Sequence, residues 1–381
     1  MAINTGLSGN EIFCLAKKGF EPGEMVIGNS VWSVGFLGGI GSALKTIGGG
    51  EVTQITEIIH EGRKAAIDRM EAWTGLHGAV GITGVTSELI IHSGNIEFLS
   101  VGSAVHKPGV NAPSLDFTCS ADGQELYCQL DAGFKPLGFA FGNVAYSIGL
   151  GGGIMGGLRS LVKGEVKEFS DIFYHTRHLA LERIQKEAKA KGANCVVGIK
   201  TSIMKFGGMQ EMVMVGTASH HPAYDASHSN TPATSDMTCE ETWNMVHLGY
   251  MPMQLVLGVS VYSIGFGGGM SAFFKSFVKG EIPELTHLIY DARENALSKL
   301  MEHAVEVKAD DVVGIKTYVY SLGSGVIEFL AIGTAVKKMP GAKTESDNLP
   351  PQAVMTDKDT FINKADLQTG GNLNEGAKAG R

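Results

Sequence analysis

The chain has 381 residues and a formal net charge of −8, with 52 glycines and five cysteines. A negative balance with no basic stripe lacks the phosphate-neutralising field on which nucleic-acid affinity rests, so nucleic acid is excluded as a partner. The cysteines, at 14, 119, 128, 195 and 239, form no C-x-x-C pair, which excludes a disulfide framework or a zinc ribbon. A reducing cytoplasm fits them, and Met-Ala-Ile-Asn-Thr-Gly at the start lacks the basic and apolar regions of a secretory signal.

From the N-terminus, Ser8-x-x-Glu11 has capping-box spacing and Gly19 stands where a left-handed residue ends a helix, so a short amphipathic helix is expected. Gly19-Phe20-Glu21-Pro22 then opens an apolar, β-branched segment that reads as a buried strand. A glycine-rich, uncharged stretch from Gly35 to Gly41 leads through a short apolar helix to Gly50-Glu51, where a long helix follows. Two strands close the unit at Val101-Gly102-Ser103-Ala104.

The same succession returns twice. Gly133-Phe134-Lys135-Pro136 runs to Val215-Gly216-Thr217-Ala218, and Gly249-Tyr250-Met251-Pro252 runs to Ile332-Gly333-Thr334-Ala335. Glu11, Glu125 and Glu241 match, as do the Gly-Glu pairs at 50, 164 and 280, the arginines at 63, 177 and 293, and Val80-Gly81-Ile82 with Val197-Gly198-Ile199 and Val313-Gly314-Ile315. Self-similarity at a long fixed period makes each copy one folding unit. In the third copy Thr238-x-x-Glu241 repeats the capping box, Pro283 suits a first helical turn, and Leu285, Ile289, Ala292, Ala296, Leu300 and Ala304 form an apolar stripe. Val312 to Tyr320 and Val326 to Gly333 read as strands around a Ser321-Leu322-Gly323-Ser324-Gly325 hairpin.

The fold class expected is therefore α+β, in three tandem repeats at residues 5–107, 117–221 and 236–338. Each has a short N-terminal helix, a strand, a Gly-rich segment, a long amphipathic helix and a β-hairpin forming a small sheet. Residues 107–116 and 222–235 read as polar linkers, and 340–381, poor in apolar residues, as a disordered tail open to a protein partner. Such small sheets leave exposed edges, which pairing between copies would cover.

Gly-[Phe/Tyr]-x-Pro, Leu257-Gly258-x-Ser260-Val261-Tyr262, Tyr290-x-Ala292-Arg293, Ala309-Asp310-x-Val312-Val313-Gly314-Ile315 and Gly333-Thr334-Ala335-Val336 together resemble the YbjQ-type family, labelled "putative heavy-metal-binding domain". The resemblance is closest in the third unit and covers about residues 7–338. It implies a small α+β domain that associates through its sheet into rings, pentameric ones, with an unassigned function. No Cys or His recurs at one register in all three units, as a built-in metal site would require.

Several features carry chemistry in principle. Gly151-Gly152-Gly153-Ile154-Met155-Gly156 matches a dinucleotide loop but lacks its ribose acid and second βαβ unit. Gly38, Gly39, Gly152, Gly153, Gly268 and Gly269 sit in uncharged runs of about twenty residues, long enough to span a bilayer as helix, yet half strand-like and rich in glycine. Close packing against a neighbouring copy is the expectation for them. His220, His221 and His228, and His175 with His178, are the candidate ligands for a divalent metal; no other cofactor is assigned. Arg63, Arg177 and Arg293 with Glu97, Glu211 and Glu328 read as ion pairs between helix and sheet or between subunits, rather than as an anion site or acid/base pair, because no nucleophile accompanies them. Ser33, Ser147 and Ser263 lack the G-x-S-x-G frame.

The sequence thus points to a non-catalytic, cytoplasmic, self-assembling scaffold or binding protein, a ring or stacked ring joined through sheet edges and Gly-rich helices. The alternatives are heavy-metal binding or sequestration, and membrane association through the Gly-rich runs.

Overall fold

The computed structural model describes residues 3–33, 50–92, 95–147, 164–206, 209–263, 283–323 and 326–355. The first repeat runs α1 (Gly9–Lys17), β1 (Glu21–Ser33), β2 (Gly50–Glu51), α2 (Thr53–Gly75), β3 (Gly81–His92) and β4 (Asn95–His106). The second follows with β5 (Phe117–Thr118), α3 (Gly123–Asp131), β6 (Lys135–Ser147), β7 (Gly164–Glu165), α4 (Lys167–Ala190), β8 (Cys195–Phe206) and β9 (Met209–His220). Then come β10 (Ala233–Thr234), α5 (Cys239–His247), β11 (Tyr250–Ser263), α6 (Pro283–Glu306), β12 (Asp311–Gly323), β13 (Val326–Lys338) and α7 (Pro351–Val354).

The architecture is the expected α+β, and capping explains where the short helices start. Ser8 with Glu11 and Thr238 with Glu241 form reciprocal capping boxes. Asp122 with Glu125 makes a third at α3, with aspartate in the hydroxyl's place. Gly19, Gly133 and Gly249 end these helices at φ +79°, +85° and +87°. Each main sheet is antiparallel, with the first strand of a repeat paired to the last and the last to the middle one.

The middle strand carries a bulge. Register shifts between Thr83 and Thr86, Val197 and Lys200, and Val313 and Lys316, where Gly84, Gly198 and Gly314 take φ near +65°. Thr83-Gly84-Val85 is therefore the counterpart of Val197-Gly198-Ile199, not Val80-Gly81-Ile82 as the residue pattern alone suggests. A left-handed bulge residue demands glycine, and only Gly84 occupies that place in the first copy.

Neighbouring repeats cover one another's edges. β2 of the first repeat adds to β6 of the second, and β7 of the second adds to β11 of the third. In the other direction β5 adds parallel to β3, and β10 parallel to β8. The second linker is consequently held in place: Tyr224, Ala233 and Thr234 are buried.

Each long helix lies on the first strand of its own repeat. Contact is so close that a Cβ on Gly28, Gly142 or Gly258 would stand 2.1, 2.1 or 2.0 Å from the carbonyl oxygen of Ala66, Ala180 or Ala296. The helix also reaches forward. α2 packs on β6 and α4 on β11, so the outward faces of those strands are buried by the preceding repeat. Leu255, Leu257, Val259 and Val261 share one apolar cluster with Phe173, Leu181 and Ile184 of α4. Burial on both faces is why β11 reads as a continuous apolar run rather than an alternating one.

Residues 340–355 pack rather than stand off as their composition suggests. The Glu345 amide donates to the Asp131 carbonyl, Gln124 donates to the carbonyls of Gln352 and Met355, and Ala353 is buried. The remainder of the expected tail, 356–381, lies outside the described residues, as do Gly38, Gly39, Gly152, Gly153, Gly268 and Gly269. Among the described residues no helix is long and apolar enough to cross a membrane.

Candidate functional site

The forward reach of each helix is fixed by the same polar lock at both boundaries. At the first, the Val52 amide donates to the Ala145 carbonyl at 2.8 Å, and the Ala145 amide donates to Thr56 Oγ1 at 2.9 Å. At the second, the Val166 amide donates to the Val261 carbonyl at 2.7 Å, and the Val261 amide donates to Ser170 Oγ at 2.9 Å. Arg183 pairs with Glu51 at 2.7 Å, and in the matching place Lys299 pairs with Glu165 at 2.9 Å. The repeated Gly-Glu thus supplies an edge strand and an anchor for the next helix.

Two turns further along the helix stands the repeated arginine. Arg63 donates from Nε and Nη2 to both Glu211 oxygens, at 3.3 and 2.8 Å, and from Nη1 to the Ser87 carbonyl. Arg177 donates to Glu328 from Nε at 3.1 Å and from Nη2 to both oxygens at 2.9 Å, with its guanidinium 4.7 Å from the Tyr146 ring centre. All four side chains are buried, and each pair joins a helix of one repeat to the last strand of the next. Burial raises the Glu328 carboxyl, and the guanidinium beside it opposes that shift. Two-pronged geometry, with each charge facing its partner, is what makes a buried ion pair tolerable.

Arg293 and Glu97 occupy the same positions at the two ends of the array. Arg293 is exposed, with its guanidinium 6.0 Å from the Phe329 ring centre. Glu97, in register with Val31, accepts from Asn29 Nδ2 at 3.1 Å and lies 2.7 Å from His92 Nε2. Among the described residues neither has a partner from another repeat.

One junction escaped the sequence reading because its members do not share a register. Asp131, at the end of α3, accepts from Lys18 Nζ of the first repeat, Trp243 Nε1 of the third and Ser346 Oγ of the C-terminal segment, each at 2.8 Å. Burial raises the carboxyl, but these donors outweigh it and leave its pKa below the ordinary value. All three repeats and residues 340–355 meet on one carboxylate.

The histidines are dispersed. His220 is exposed, whereas His221 is buried with Nε2 3.0 Å from the Ala132 carbonyl and Nδ1 accepting from the Ala223 amide. His228 sits 3.0 Å from Asp225. His175 is exposed, while His178 points to the second boundary, its Nε2 3.4 Å from Nδ1 of His303. Burial, then the neighbouring imidazole, pulls His303 down to about 4. Five buried cysteines stand as free thiols, with burial pushing Cys14 up to about 11 and Cys119 to about 12. Thiols so raised are poor ligands, and among the described residues no three His, Cys, Asp or Glu side chains gather around a common point. The described residues do not fit a heavy-metal site.

Compared with known proteins, the chain matches the sequence profile of a family described as "Putative heavy-metal-binding" three times, over residues 18–107, 133–221 and 250–339. It is 33% identical over 215 residues to "Encapsulin nanocompartment protein Rv1762c" of Mycobacterium tuberculosis, a stretch covering 54% of this chain and 79% of that protein. Similarity extends to a UPF0145 protein of Methanoregula boonei, 41% identical over 85 residues, 22% of this chain and 71% of the relative. UPF0145 protein TV0671 of Thermoplasma volcanium is 42% identical over 83 residues, 22% of this chain and 68% of the relative.

Proposed function

The chain belongs to the YbjQ family, with three of its domains in one polypeptide, and from that premise we propose that it is a non-catalytic, self-assembling scaffold of the cytoplasm. The carrying observation is the interlock: two buried arginine–glutamate pairs, repeated in register, join helix to neighbouring sheet. These charged groups are spent on one another, as structural links are and as catalytic groups facing a substrate are not. A relative named as an encapsulin nanocompartment protein supports a role in an assembly. Free buried thiols support a reducing compartment.

A ring or stacked ring is the form proposed. A stack of five chains, each domain meeting its own kind, is one such particle; an array in which unlike domains meet head to tail is another, and the order inside the chain favours the second. Native mass spectrometry of the full chain tests the proposal: particles of several chains are expected, and a single chain at micromolar concentration would overturn it. The heavy-metal reading gains no support from the described residues.

A further inference from the structure

Three repeats give two internal boundaries and leave two unmatched ends. On β6, Phe139, Phe141 and Ala145 are buried by α2, and on β11 Leu255, Leu257 and Val261 are buried by α4. The matching residues of β1 are Met25, Ile27 and Val31, which are 41%, 54% and 59% exposed. They form an apolar row on one face of the strand, since residues two apart in a strand share a face. At the other end, among the described residues, α6 is followed by no further sheet. Arg293 and Met301 are exposed there, where Arg177 and Gln185 of α4 are buried under β11.

We propose that a second copy of this chain fills this gap head to tail, with α6 of one copy lying on β1 of the next and Arg293 donating to Glu97. The inference rests on the self-assembly proposed above and names its interface. Charge complementarity supports it, because Glu97 stands opposite Val31 as Glu211 stands opposite Ala145 and Glu328 opposite Val261. Continuity supports it as well. The joint is the one the chain already makes twice, so no new surface is required. Arg69 donates to the Asn29 carbonyl as Arg183 does to that of Asn143 and Lys299 to that of Val259, so β1 is held to its own helix as β6 and β11 are to theirs. Such a contact is heterologous, and repeating it yields a closed ring if the rotation closes and a filament if it does not. A closed ring of this kind contains a multiple of three domains.

Charge reversal tests the joint by analytical ultracentrifugation of the full chain, with circular dichroism to verify folding. Arg293→Glu and Glu97→Arg should each weaken self-association at least tenfold, and the double variant should recover most of it. Val31→Asp, independent of the ion pair, should dissociate the particle while leaving the chain's circular dichroism unchanged. Assemblies indifferent to the single reversals, or a double variant no better than either, would overturn the joint while leaving self-assembly standing. A wild-type chain that sediments as a monomer would overturn both.

Discussion

Arg177 keeps Nε and Nη2 on both oxygens of Glu328 in a site without water access, so removing one charge strands the other. Arg177→Met should therefore lower stability by about 3–5 kcal/mol, whereas Arg177→Met with Glu328→Leu should return most of the loss. Thermal and urea unfolding of the three proteins measures this, and an equal loss in the double variant would refute it. His303 gives the pH counterpart. Its folded pKa of about 4 lies below the ordinary value near 6.5, so the neutral ring's contribution is complete above pH about 6.5 and is lost as pH falls toward 4. In the matching place of the second repeat Glu187 accepts from the Phe141 amide, as His303 does from that of Leu257, and burial raises it to about 7. That carboxyl stabilises below pH about 4.5 and its contribution is lost as pH rises through 7, opposite in sign to the imidazole. The two partly cancel in the wild-type curve, so the diagnostic is a difference. The melting-temperature advantage of wild type over His303→Gln should shrink between pH 7 and pH 5, and a constant gap would argue against this reading.

At the scale of elements, the strand–helix contact is set by a glycine in each copy. Gly142 leaves a hypothetical Cβ 2.1 Å from the Ala180 carbonyl oxygen and 2.5 Å from the Ile184 nitrogen, both backbone atoms that move only if the helix moves. Gly142→Ala should cost about 1–3 kcal/mol, the range for overfilling a packed core. Chemical denaturation reads it, and an unchanged midpoint would show that α4 shifts freely. Position along the array gives a sharper contrast. Val31 and Val261 are equivalent in register, yet one is exposed in the chain and the other buried beneath α4. Val261→Asp should destabilise the chain by about 3 kcal/mol or more, since it buries a carboxylate with no partner. An equal effect of Val31→Asp on the dissociated chain would contradict the forward reach of the helices.

For the whole molecule, Asp131 is the point at which three repeats and the segment after the third are tied together. Asp131→Ala leaves Lys18 and Trp243 without their shared acceptor and should cost about 3 kcal/mol. It should also free residues 340–355 to proteolysis, which limited digestion followed by mass spectrometry would detect. Retained protection would mean that Ala353 and the Gln124 contacts suffice to hold the segment.

Periodicity by itself determined the number of repeats, their succession of elements, the short helices and most of their caps, because these depend on neighbours a few residues apart. The register of the middle strand was not legible, since Val-Gly-Ile occurs near two glycines in the first copy and only backbone conformation distinguishes Gly84 from Gly81. Arg63, Arg177, Glu211 and Glu328 were recognisable as matched charges, but spacing along the chain does not say which copy's glutamate meets which copy's arginine. Tertiary structure decided that α2 and α4 each serve two sheets, their own and the next. That choice follows from burial: a central strand apolar on both faces must be covered twice, and one domain has only one long helix to offer.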